Sequence, residues 1–70
     1  MTQQAARRIH DAALQNMLVD HPALFDEPEI VQRAYRALFP YVQALPLAMA
    51  LDRIGRYAEL LLRHRALTLH

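Results

Sequence analysis

The sequence predicts an all-α fold, and three observations carry the prediction. Apolar residues recur at helical spacing in three successive segments. One glycine in 70 residues argues against hairpins and extended loops. An uncharged run from Ala37 to Leu51, broken by Pro40 and Pro46, is too short and too interrupted for a membrane span and reads as the buried bend of a small helical protein. The expected architecture is a single α-helical domain over residues 1–70. In it, long second and third helices form an antiparallel hairpin about Pro46, the first helix packs across them, and two copies dimerise into a helical bundle.

The first helix is expected over about Thr2 to Asp20. At 100° per residue, Ala6, Ile9, Ala13 and Met17 form one stripe with Leu14 and Leu18 at its edge, while Arg7, Arg8, Asp11 and Gln15 face away. His21 and Pro22 end it, because a residue that precedes proline is pushed out of the helical region. Asp26 and Glu29 then resemble a capping box with Pro28 in the first turn, so a second helix should begin close to Glu27. Just ahead of it, Ala23, Leu24 and Phe25 supply an apolar side chain to staple the loop onto the helix.

Ile30, Val31, Ala34, Tyr35 and Leu38 share one side of the second helix, opposite Gln32, Arg33 and Arg36. Pro40 would ordinarily stop it. If the helix continues through a kink, Tyr41, Val42 and Leu45 return to the apolar face and Pro40 points to solvent, and this is the arrangement we expect. Pro46 is then the turn or the opening residue of the third helix. In that helix Leu47, Ala50, Leu51, Ile54, Ala58, Leu61 and Leu62 cover one broad face, with Gly55 and Tyr57 at its margins. Asp52 with Arg56, and Glu59 with Arg63, stand four apart with the acid first, which supports a helix by about 0.2–0.5 kcal/mol per pair.

Size directs attention to partners. A chain this short buries only about 60% of the surface that it exposes when unfolded, so its core alone stabilises it weakly. It contains no cysteine, which removes disulfides, thiolate metal sites and redox chemistry, and fits a reducing compartment. The apolar fraction of 54% exceeds what so small an interior can absorb, and the surplus calls for a second copy or another protein. No secretory signal is legible, so a cytoplasmic location is expected, without a membrane-spanning helix.

Eight basic residues, all arginine, against seven acidic ones give a net charge of +1, which supplies no global attraction to nucleic acid. The charge is uneven along the chain. Asp20, Asp26, Glu27 and Glu29 make the first loop acidic, whereas Arg53, Arg56, Arg63 and Arg65 outnumber Asp52 and Glu59 near the C-terminus. These regions should attract each other within one chain or between two.

Catalytic chemistry finds little material. There is no serine or cysteine nucleophile, the threonines Thr2 and Thr68 lie at the ends, and one glycine cannot build a phosphate-cradling loop. None of the four histidines, at 10, 21, 64 and 70, stands at the i, i+4 spacing that presents two imidazoles to one metal, so no metal or other cofactor is expected. His10 falls beside Leu14 and Met17 on the apolar stripe. It is read as a core or interface histidine whose protonation below about pH 6.5 would weaken packing.

The third helix offers the most informative surface. Met49, Leu60 and Leu67 fall together on its charged outer side, a second apolar strip of the sort shown by a helix that packs against two neighbours. The expected function is that of a small non-enzymatic interaction module, an adaptor, accessory subunit or regulator. It would act through self-association and through this face, with Met49, Leu60 and Leu67 as anchors, Arg53 and Arg56 as polar contacts and Arg63 on the rim. The alternative is a DNA-binding transcriptional regulator using the same arginines. Proline-based turns, near-zero net charge and the interrupting Asp52 and Glu59 make it the weaker reading.

Overall fold

The computed structural model describes residues 3–68. Its order is α1 (Gln3–Asp20), a single 3₁₀ turn (Pro22–Leu24), α2 (Pro28–Val42) and α3 (Leu47–Thr68), with no strand among the described residues. The α2 and α3 helices pack against each other along their length. They run antiparallel, since residues 43–46 join them at one end and Glu27 meets Arg65 at the other. The α1 helix lies on α3 and on the 3₁₀ turn, whereas α1 and α2 make no direct backbone approach. The chain is elongated, with extents of 48 × 23 × 17 Å.

The third helix forms as its periodicity predicts. Ala50, Leu51, Ile54 and Ala58 are buried, and Leu47, Leu61 and Leu62 are half-buried around them. They meet Ile30, Ala34 and Val42 of α2, Met17 of α1 and Leu24 of the 3₁₀ turn in one core.

The start of α2 differs from the expected capping box. Glu27, not Asp26, is the N-cap, and no side chain caps the helix. The Glu27 carboxylate is engaged elsewhere, accepting both guanidinium arms of Arg65 at 2.7 and 2.9 Å, while its carbonyl accepts the first helical bond from Val31. Pro28 at the first position has no N–H to satisfy, which lightens the loss of a side-chain cap. This fork also realises, within one chain, the attraction between the acidic loop and the basic C-terminal segment.

The helix does continue through Pro40, which faces solvent, and it ends at Val42 with the Gln43 N–H bonded to the Phe39 carbonyl. Val42 is buried as expected, whereas Tyr41 is 82% exposed. Ala48 and Met49, in the first turn of α3, line the same open groove as its ring. The α3 helix then opens with the Pro46 carbonyl accepting from Ala50, so Pro46 stands immediately before the helix.

The α1 stripe is only partly realised. Met17 is buried and Ala13, Leu14 and Leu18 are half-buried, but Ala6 is exposed and Ile9 is 51% exposed. An amphipathic stripe is buried only where a neighbour covers it, and the backbone neighbours of α1 are α3 and the 3₁₀ turn.

Candidate interaction surface and the His21 clamp

The outer side of α3 and the last turn of α2 enclose an open groove. Leu38, Val42 and Leu45 contribute from the α2 side, and Met49, Tyr57 and Leu60 from α3. Arg53 and Arg56 stand on its rim beside Tyr41 and Asp52. Met49 is 50% and Leu60 57% exposed, so the groove offers two large apolar side chains that the fold itself does not cover. The structure thus brings Met49, Arg53, Arg56 and Leu60 to one concavity. Leu67, 74% exposed, continues their line seven residues beyond Leu60, outside the groove. Arg63 turns to the opposite flank, where it lies with Pro22, Ala23 and Leu62.

The arginines differ in freedom. Arg56 Nε bonds Asp52 Oδ2 at 3.0 Å, the i, i+4 pair expected from sequence. Arg65 is held by Glu27, and that bond, outweighing burial, keeps the Glu27 carboxyl below its usual range. Glu59, expected from sequence to pair with Arg63, bonds a different partner.

That partner is His21, and the cluster around it is what spacing rules missed. The ring is the buried polar side chain of the core, 8% exposed. Its Nδ1 lies 2.7 Å from Glu59 Oε1 and its Nε2 3.0 Å from Asp52 Oδ1. Burial opposes charge on this imidazole, but the hydrogen bonds and charges of the two carboxylates prevail and raise its pKa above the ordinary value. The imidazolium donates from both nitrogens, whereas a neutral ring would turn a lone pair toward one carboxylate. Asp52 responds in kind: the His21 bond, against some desolvation and with Arg56 assisting, holds its carboxyl below the usual range.

Gly55 makes room for the ring. A Cβ there would stand 2.7 Å from His21 Cδ2 and 2.9 Å from Met17 Sδ. The glycine's helix-propensity cost of about 1 kcal/mol is accepted so that the end of α1 can seat on α3. Two carboxylates on opposite edges of one ring fasten helices, and they do not converge on an ion. Among the described residues no group of three or more His, Asp and Glu side chains is arranged to hold a metal.

His10 is half-buried, its Nε2 3.5 Å from the Tyr35 hydroxyl and its ring edge-on to that of Tyr35 at 6.0 Å. Tyr35 stacks in turn on Phe39 at 5.2 Å. No helix among the described residues is long and apolar enough to cross a membrane.

Fold and surface together define a small three-helix protein with a clamped α1 and an arginine-rimmed groove on its hairpin. No family model, curated protein or solved structure matches the chain.

Proposed function

We propose that this chain is a non-enzymatic protein-interaction module, an adaptor, accessory subunit or regulator, that self-associates and uses the outer face of α3 as its working surface. The observation that carries the reading is the groove itself, in which Met49 and Leu60 stay half-exposed between Tyr41 and the guanidinium groups of Arg53 and Arg56. Exposed apolar anchors inside a polar rim are the anatomy of a binding patch, and Tyr, Met and Arg are the residue types enriched there. DNA binding draws less support, because Arg56 and Arg65 already answer carboxylates and two of the four C-terminal arginines are thereby partly neutralised.

A photoreactive residue placed at Leu60 tests the proposal in cells. It should give a discrete protein adduct that disappears when Arg53 and Arg56 are both changed to Glu, and a probe at Gln15 on the far side of α1 should give none. Equal, diffuse labelling at both positions would refute it. The same double charge reversal read in a DNA-shift titration against salt separates the alternative, since only a DNA binder would lose a salt-dependent complex.

A further inference from the structure

The cleft between α1 and α2 lies apart from the α3 groove and is lined almost wholly by carbon. His10, Leu14 and Leu18 come from α1, Phe25 from the loop, and Val31 and Tyr35 from α2. The two helices flank it without packing together, and they meet across it through the His10 and Tyr35 side chains. Phe25, 61% exposed, stands at its rim, and Phe39, 41% exposed, extends its apolar surface by stacking on Tyr35. No arginine, aspartate or glutamate lines it.

We propose that this cleft is the face through which a second copy of the chain docks. The proposal deepens the self-association part of the function above and does not require the α3 groove.

The chain as a whole leaves enough area for such a contact. A compact monomer of 8.1 kDa should expose about 4,500 Å², but this chain exposes 5,535 Å². The surplus of roughly 1,000 Å² resembles the ~800 Å² that each partner contributes to a standard interface. The radius of gyration agrees, at 12.7 Å against about 11 Å for a compact domain of this length.

Charge identifies the occupant. In a two-fold dimer the same patch lies on both sides, so a patch with an excess of one charge meets the same excess. Docking two α3 grooves would set two surfaces face to face that each carry Arg53 and Arg56 against the single carboxylate of Asp52, whereas no arginine, aspartate or glutamate lines the α1–α2 cleft. The cleft suits a copy, and the groove suits a partner of different charge.

Light scattering coupled to size-exclusion chromatography, over a wide concentration range at neutral pH, tests this on the full chain. The wild type should reach twice the 8.1 kDa of one chain. Phe25→Glu and Gln32→Glu each place a charge on an exposed lining position and should halve that mass with helical circular dichroism unchanged. Leu60→Glu should leave it dimeric. A dimer that survives both cleft variants overturns the proposal, and if Leu60→Glu alone splits it, self-association stands but runs through α3. A wild type monomeric at every concentration overturns self-association and the cleft together, while leaving the α3 surface to the crosslinking test.

Discussion

Replacing Gly55 with alanine pits two physical effects of opposite sign against each other. On an open helix face the substitution stabilises by about 1 kcal/mol through helix propensity. Here the new methyl would sit 2.7 Å from His21 Cδ2 and 2.9 Å from Met17 Sδ, well inside the ~3.5–4.0 Å at which carbon contacts are favourable. The imidazole cannot swing aside cheaply, because Glu59 and Asp52 hold its two nitrogens, and Met17 is itself buried. Overpacking of this sort costs about 1–3 kcal/mol, and displacing the ring also loosens hydrogen bonds to charged groups. The net expectation is a loss of about 1–2 kcal/mol, with Tm falling by roughly 4–8 °C for each kcal/mol in a domain of this size. Urea and thermal unfolding, followed by circular dichroism near pH 6, would measure it. The same substitution in a His21→Ala background, where the obstructing ring is gone, should revert toward stabilisation, giving a strong coupling between the two positions. Stabilisation by Gly55→Ala in the wild-type background would refute the packing argument.

The clamp also sets a pH window. The pKa of His21 is raised on folding, so its contribution is complete below the unfolded value of about 6.5 and is lost as pH rises through the folded value. Asp52 is lowered, so its contribution is complete above its unfolded value and is lost as pH falls through the folded one. Urea midpoints should therefore be higher at pH 5.5 than at pH 8.5, and His21→Gln should shrink the difference; an unchanged difference would sink the assignment. By contrast, Arg65→Ala should barely move the urea midpoint in the same assay, because its fork to Glu27 is open to solvent, and a large fall would mean that this end of the hairpin is held by little else.

The parts of the fold that a sequence discloses are those governed by local repetition. The buried face of α3 follows from apolar residues three and four apart, and Pro40 could be placed on the outside of α2 because its neighbours fix the phase of that helix. Where the outcome depended on a distant residue, local rules failed. Asp26 is the better N-cap by type, but Glu27 holds the position and its carboxylate bonds Arg65, 38 residues away. Ile9 belongs to the α1 stripe by phase but is left half-exposed. His21 marks the end of a helix by local signals, whereas its partners are carboxylates 31 and 38 residues further on. One signal did exist: the single glycine of the chain stands mid-helix, flanked by Asp52 and Glu59 two turns apart on one face. Within the proposed surface, the common phase of Met49, Arg53, Arg56 and Leu60 was visible in sequence, whereas the α2 wall that makes it a groove was not.

The one-sided seating of α1 sets an order on how the molecule opens. The α2–α3 hairpin closes over residues 43–46, a short loop with little closure entropy to overcome, and it carries most of the buried side chains. Met17 is the one buried residue of α1, Ala13, Leu14 and Leu18 are half-buried, and the His21 ring, just past the helix end, fastens that end to α3. Lifting α1 is consequently expected to cost less than opening the hairpin. Its amides should exchange with solvent hydrogen ahead of those around Ile54, at a rate governed by the protonation of one ring.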